Sequence, residues 1–158
     1  MTLSHVDKEG AARIVDVVDK PETLRSAVAE SFLVVAPATL IALREGRGKG
    51  DPKEVARLAA LQAAKHTSTL IPLCHPLRLH AVEVDIEEHP PDRLRVVVRV
   101  RAVERTGVEM EALTAAAVGT LTLYDMVKAV DRGATITDTR VLEKHGGRSG
   151  DWVRPEGP

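Results

Sequence analysis

Three charged residues of the kind used in catalysis, Glu111, Asp125 and Lys128, lie within one stretch of helical periodicity. Apolar residues recur there every three or four positions, which predicts a long helix over residues 106–130 that ends before Gly133. The expected core-facing stripe consists of Leu113, Ala117, Leu121 and Tyr124. The charged residues should lie on or near the edge of that stripe, where a charge must be paired or take part in chemistry.

The spacing of Asp125 and Lys128 brings their side chains together on one side of the helix. Residues three apart have Cβ atoms about 5–6 Å from each other. A carboxylate beside an ammonium can transfer protons in both directions if burial moves their pKa values toward neutrality. The same spacing is also typical of a surface salt bridge, and Glu111 would then be a carboxylate near a helix N-terminus.

Glu111 and Asp125 are too far apart for one small substrate to contact both on a straight helix. They are fourteen residues apart, which corresponds to about 21 Å along a helix axis. Either the two ends of the helix serve different sites, or two copies of the helix from different subunits build one site. We favour the shared site, which predicts an oligomeric protein.

Two segments before this helix carry further candidates. Lys49 lies between two glycines, just before a helix predicted over residues 51–69 with Asp51 as its N-cap. Such a loop suits a phosphate although it is not a Walker A motif, and the alternative is a flexible turn with a solvated lysine. His75 lies in a connector stiffened by two prolines, where it could contact a ligand or be hydrogen-bonded within the loop.

No metal and no cofactor are expected. Cys74 and His75 could ligate a metal, but Cys74 is the single cysteine and the other histidines are scattered, so no zinc spacing is present. Cys74 has no recognisable nucleophile signature either.

Composition predicts one soluble, cytoplasmic domain over residues 1–158. A formal net charge of −1 provides no basic field for nucleic acid, the single cysteine fits an intracellular setting, and no apolar run could span a membrane. Residues 1–12 are expected to be flexible, and the glycine-rich residues 146–158 are expected to form a mobile tail. Arg148 in that tail could reach an anion or be disordered.

The remaining periodicity predicts an α+β fold. Strands are expected at residues 13–18, 78–88, 94–103 and 135–142, a short helix at 37–44, and either a helix or a strand at 23–35. If residues 24–35 form a strand, the order is βαββαβ, an antiparallel sheet with helices packed on one face.

Four motifs carry a resemblance to a known family. They are Gly48-Lys-Gly-Asp, Ile71-Pro-Leu-Cys-His-Pro-Leu, Gly107-Val-Glu-Met-Glu-Ala-Leu-Thr-Ala and Tyr124-Asp-Met-Val-Lys-Ala-Val. In order and spacing they resemble the cyclic pyranopterin monophosphate synthase family, the C protein of molybdenum-cofactor biosynthesis. The resemblance extends over residues 13–150. It departs from the family pattern just before the first motif, where Arg47-Gly stands in place of bulkier polar residues.

The resemblance implies a ferredoxin-like fold and a homohexamer, a trimer of dimers with active sites at subunit interfaces. It implies a lyase that converts 3′,8-cyclo-7,8-dihydro-GTP to cyclic pyranopterin monophosphate and releases diphosphate. The implied catalytic residues are Asp125, Lys128 and Lys49, and the implied substrate-binding residues are Leu73, Cys74, His75, Met110 and Glu111. Lys20 and Arg25 match basic positions that could hold phosphates. The competing classes are a nucleotide-binding regulator without catalysis and a metal-handling protein.

Overall fold

The computed structural model describes residues 5–7, 9–45 and 50–155, so Lys49 and the glycines before it lie outside the described residues. In the described part of the chain, nine elements follow one another. They are β1 (Thr23–Val34), α1 (Pro37–Arg44), α2 (Pro52–Lys65), α3 (Thr67–Leu70), β2 (Ala81–His89), β3 (Arg93–Glu104), α4 (Glu109–Val127), β4 (Thr135–His145) and β5 (Trp152–Val153).

The strands form a single antiparallel sheet in the order β2-β3-β1-β4-β5. Alternate residues of β1 and β3, such as Ala29, Leu33 and Val98, are fully buried against α2 and α4, since successive side chains of a strand point to opposite faces. The α+β, ferredoxin-like arrangement expected from the sequence is confirmed, with β5 as a short additional edge strand.

The ambiguous segment at residues 23–35 is a strand, and it lies at the centre of the sheet. β1 pairs with β3 along its whole length and with β4 through two irregularities. The strand expected at residues 13–18 is wrong, because this segment has no partner strand. Its half-buried side chains, Val15 and Val17, instead line a cavity described below.

The core-facing stripe predicted for α4 is wrong in part, since Leu113 and Tyr124 are half-buried against the core but do not form the buried face. Leu121 is 56% exposed, and the buried face lies beside the predicted one. Its members are mostly small: Ala112, Ala115, Ala116, Gly119, Thr120, Leu123 and Val127. A Cβ added to Gly119 would lie 3.2 Å from the Ala60 Cβ and 3.2 Å from Val96 Cγ1. α4 therefore packs too closely on α2 and the sheet for large side chains, and the periodicity of large residues misplaces its buried face.

The expected position of Asp125 and Lys128 near the buried face is also wrong. Their side chains are 65% and 55% exposed in the described chain. Asp125 lies on the exposed side of the last turn of α4, between the buried Leu123 and Val127, and Lys128 is the C-cap that follows.

The N-cap predicted for α2 is confirmed. Asp51 Oδ1 accepts a hydrogen bond from the backbone N–H of Lys53 at 2.9 Å, and Pro52 occupies the first turn. The helix ends at Lys65 instead of continuing to residue 69, and the short α3 follows. The strand β4 continues to His145, three residues past its predicted end. The single-domain assignment and the mobility of the two end segments stay predictions.

Replacing Gly119 with leucine should lower the free energy of unfolding by about 1–3 kcal/mol, because the added side chain has no space between α2 and the sheet. Urea denaturation at a fixed protein concentration measures the change. Gly133→Leu is the matched control, since within 4 Å a Cβ at Gly133 would meet only Asp131 Oδ1, at 3.6 Å. Equal losses in the two variants would contradict the close packing of α4.

Candidate active site

The connector after α3 and the first turn of α4 meet at a cavity of about 250 Å³. These two segments contribute the five residues that the family resemblance implies for substrate binding: Leu73, Cys74, His75, Met110 and Glu111. The rest of its lining is His5, Val15, Val17, Lys20, Leu77, Thr106 and Gly107. We call this space the ring cavity, because its size suits a ring system, such as one part of a nucleotide, and not a whole nucleotide.

Hydrogen bonds at both ends hold the connector in place. The Ile71 N–H donates to the Thr67 carbonyl at 2.9 Å, and the Cys74 N–H donates to the Ile71 carbonyl at 3.1 Å. At the far end, the Arg78 N–H donates to Glu104 Oε1 at 2.9 Å, which attaches the connector to β3. Together with the two prolines, these bonds fix the backbone on either side of His75.

Glu111 is the buried carboxylate of the ring cavity. It is only 4% exposed, and its Oε2 atom has no hydrogen-bond partner among the described residues. Burial raises the pKa of Glu111 to about 7, and the nearby charge of Glu109 adds to the rise. A carboxyl group with such a pKa can gain or lose a proton near neutral pH, and its free oxygen can accept a hydrogen bond from a ligand.

Cys74 responds to the same environment. Burial raises the pKa of its thiol, and the Glu111 charge raises it further. A thiol with a raised pKa stays protonated at neutral pH, so Cys74 lacks the thiolate character of a nucleophilic cysteine.

A second depression of about 720 Å³ shares Lys20, Thr106 and Gly107 with the ring cavity. We call it the basic groove, because its lining is rich in cationic or protonatable side chains: Lys20, Arg25, Arg105, Lys144, His145 and Arg148. Glu109 is the carboxylate of the described lining. The pKa of His145 is raised by its hydrogen bond to Asp151, which favours the charged form. Such a groove suits a polyanion.

Arg25 is held in the groove by the backbone. Its Nε donates to the Glu104 carbonyl at 3.3 Å and its Nη2 donates to the Arg105 carbonyl at 3.4 Å. Gly147 has φ +83°, and a Cβ there would lie 1.6 Å from Arg25 Nη1. Glycine at 147 therefore leaves the space that the end of the Arg25 side chain occupies, and glycine at 146 leaves room for the Leu24 carbonyl, which a Cβ there would approach to 2.3 Å.

Asp125 and Lys128 are not part of this cavity. They lie at the opposite end of α4, where Lys128 Nζ donates to Asp125 Oδ1 at 2.6 Å. This hydrogen bond and the carboxylate charge raise the pKa of Lys128. The structure thus brings together the five substrate-binding candidates, separates the Asp125–Lys128 pair from them within one chain, and leaves Lys49 outside the described residues.

Several lining residues were not identified from the sequence. The alternation at Val15 and Val17 predicts a strand, but it arises because one side of an extended segment faces the cavity. Lys144 lies at the end of a strand without any motif. His5 lies in a segment expected to be flexible, although the Asp7 and Gly10 beside it are typical turn residues.

The fold and these two depressions define a class: an α+β protein with a cavity between a helix N-terminus and a proline-stiffened connector, beside a groove lined by cationic side chains. The chain belongs to the MoaC family, whose sequence profile matches residues 14–147. This confirms the resemblance seen in the four motifs.

Two relatives resemble the chain over nearly its whole length, and both are named cyclic pyranopterin monophosphate synthase. The protein from Thermomicrobium roseum is 56% identical over 156 residues, which cover 98% of this chain and 94% of the relative. The protein from Nocardioides sp. is 53% identical, covering 97% of this chain and 96% of the relative.

Among the described residues, no helix is long and apolar enough to cross a membrane.

Replacing Glu111 with glutamine should remove a loss of stability that the wild type undergoes as pH rises. The pKa of Glu111 is raised from 4.5 to about 7 in the folded protein, so the folded chain retains a proton that the unfolded chain releases. The free energy of unfolding contributed by this group is therefore retained below about pH 4.5 and lost as pH rises through about pH 7. Relative to the wild type, Glu111→Gln should gain up to about 3 kcal/mol on going from pH 4.5 to pH 8.

Urea denaturation of both proteins at the two pH values measures this gain. Glu83→Gln, the same change at an exposed position of β2, should show no such pH dependence. Parallel pH profiles for Glu111→Gln and the wild type would show that the carboxyl group titrates normally.

Proposed function

We propose that this protein is a cyclic pyranopterin monophosphate synthase, a lyase of molybdenum-cofactor biosynthesis. It would convert 3′,8-cyclo-7,8-dihydro-GTP to cyclic pyranopterin monophosphate and release diphosphate. The observation that carries the proposal is the ring cavity, which brings together the five motif residues and shares Lys20, Thr106 and Gly107 with a basic groove. The names of the two relatives agree with it.

The purine-derived ring of the substrate would occupy the ring cavity. At about 250 Å³ the cavity is smaller than the roughly 300–1,000 Å³ of a pocket for a complete small-molecule ligand. The free oxygen of Glu111 can accept an N–H from the ring, and a carboxylate with two oxygens suits an amide-amine edge that offers two donors. Backbone groups beside His75 would help to recognise the same ring.

The triphosphate would extend from the ring cavity into the basic groove, past Lys20. Arg25 is oriented there by two backbone carbonyls, so its guanidinium can contact a phosphate with little loss of side-chain entropy. We assign Lys20 and Arg25 to phosphate binding. Lys49 would neutralise the charge that grows on the phosphates as diphosphate leaves.

The chemistry needs proton transfers and one phosphoryl transfer. A ribose hydroxyl oxygen attacks the α-phosphorus, a new P–O bond forms, the bond to diphosphate breaks, and the hydroxyl proton passes to a base. Opening and rebuilding the ring require further proton movement. We assign these transfers to Asp125 and Lys128, an acid and a base 2.6 Å apart. The pair is exposed within one chain, so burial by a partner protomer would have to move their pKa values toward neutrality.

A neighbouring protomer would supply Asp125 and Lys128 to each ring cavity. About 21 Å of α4 separates Glu111 from Asp125 within one chain, and the exposure of the Asp125–Lys128 pair leaves it available to a partner. We therefore propose a homohexamer, a trimer of dimers with sites at the subunit interfaces. For an enzyme of nucleotide-derived substrates with one cysteine we propose the cytoplasm.

Lys128→Ala should preserve the oligomer and abolish turnover, because the protonated partner of Asp125 is lost. Pterin product and released diphosphate are measured for Lys128→Ala and for the wild type side by side. Lys65→Ala, at the exposed end of α2, is the control. If the protein were a nucleotide-binding regulator, the wild type itself would bind the substrate but form neither pterin product nor diphosphate. Full activity of Lys128→Ala would refute the assigned role.

Mixing Lys49→Ala subunits with Lys128→Ala subunits should restore activity if each site takes these lysines from different chains. Random pairing of the two variants in a dimer with two sites predicts recovery of about one quarter of wild-type activity. The variants are unfolded together, refolded and assayed, with each variant refolded alone as the control. No recovery would place both lysines in one chain.

A further inference from the structure

We propose that His5 contacts the substrate ring and that Asp7 is its positioning residue, through a small hairpin whose described residues are 5–7 and 9–13. This inference rests on the proposed function, since it concerns the same ring cavity. It adds to the site a segment that the family motifs do not include.

The hairpin is held together by a compact set of backbone hydrogen bonds. The Arg13 N–H donates to the His5 carbonyl at 3.0 Å, and the Asp7 N–H donates to the Ala11 carbonyl at 3.0 Å. Between these two bonds, Val6 and Ala12 form an antiparallel bridge. His5 is therefore one end of a defined pair of short extended segments, which fixes its backbone opposite Arg13.

Asp7 stabilises the turn of this hairpin with its side chain. Its Oδ1 atom accepts hydrogen bonds from the Glu9 N–H and from the Ala11 N–H, both at 2.9 Å. Gly10 has φ +88°, a conformation that glycine adopts without steric cost. An aspartate that binds backbone N–H groups two and four residues later is a typical turn device. Without it, the two arms of the hairpin lose the element that sets their register.

The segment that follows the hairpin forms a wall of the ring cavity. Val15 and Val17 line the cavity and are half-buried, whereas the alternating Ile14, Asp16 and Val18 are exposed. This is the pattern of an extended segment with one side against the cavity. The hairpin carries His5 back to the ring cavity, which this exposed residue lines together with Glu111 of α4.

The imidazole of His5 is one of two flat side chains in the described lining of the ring cavity. The described lining contains no Phe, Tyr or Trp, and the ring side chains there are His5 and His75. A planar bicyclic ligand gains from a flat partner. A neutral imidazole also offers one hydrogen-bond donor and one acceptor, which can pair with the N–H and carbonyl groups at a pterin or purine edge. Hence we assign His5 to ring recognition.

His5→Ala should raise KM for 3′,8-cyclo-7,8-dihydro-GTP about tenfold and leave kcat nearly unchanged, as expected for one lost contact made equally in the ground and transition states. His66→Ala, at an exposed histidine after α2, is the matched control. Binding of inorganic diphosphate to the basic groove should be the same in His5→Ala and the wild type, as should the melting temperature.

The positioning role of Asp7 is tested by a double-mutant cycle. Asp7→Ala should raise KM by a similar factor. Asp7→Asn should keep KM near the wild-type value, because the amide oxygen can accept both hydrogen bonds. The double variant His5→Ala with Asp7→Ala should have a KM no higher than that of His5→Ala alone. Additive effects, or no rescue by asparagine, would overturn the role of Asp7.

The outcomes separate this inference from the function. If the wild type forms no pterin product, the proposed function fails, and equilibrium binding of GTP to the wild type and His5→Ala still tests the contact. If the wild type is active and His5→Ala stays within about twofold of its KM, the role of His5 is refuted. If His5→Ala weakened diphosphate binding by the same factor as it raised KM, or lowered the melting temperature to match, the role of His5 would be purely structural.

Discussion

The close approach of α4 to the sheet is the constraint on which the rest of the structure depends. Gly119 and the alanines around it leave little free space, since an added Cβ at Gly119 would lie 3.2 Å from two neighbouring side-chain atoms, closer than ordinary van der Waals contact. A helix held this tightly behaves as a rigid body. It therefore fixes the position of Glu111 at one end relative to the Asp125–Lys128 pair at the other. The geometry of any site shared between protomers follows from the length of this one helix.

The two depressions differ in their electrostatics, and this difference explains how one ligand could be oriented. The ring cavity contains a buried carboxyl group whose pKa is raised to about 7, whereas the basic groove contains arginine and lysine side chains. An uncharged ring is favoured in the first and a polyphosphate in the second. The burial of Glu111 with an unpaired oxygen reduces stability, and such costs concentrate where a protein binds or reacts. Arg25 is fixed by backbone carbonyls, so its charge is oriented before a ligand arrives.

The sequence predicted β2, β3, β4 and the helices near their observed positions, but it left the central strand β1 open between helix and strand and predicted a strand at residues 13–18 that does not form. Alternation in β2 and β3 marks a half-buried strand directly, because each position has one of two environments. The buried face of α4 was misplaced since close helix packing selects alanine and glycine, which carry little periodic signal. The five residues around the ring cavity were found through motifs. His5 was missed, because its position depends on the turn at Asp7 and on a cavity whose other lining, in the connector and α4, lies far along the chain. The partner of Asp125 and Lys128 depends on assembly, which one chain does not specify.

The order of the strands has a consequence for synthesis of the protein. β1 is made first, yet it lies at the centre of the sheet, and its residues pair with those of β3 roughly sixty to eighty positions later. β4, which completes its other side, emerges later still. A ribosome-bound chain must therefore keep this apolar strand from aggregating until its neighbours have been translated. The nascent protein would acquire its native structure late and in a concerted manner, and chaperone protection would matter most during that interval.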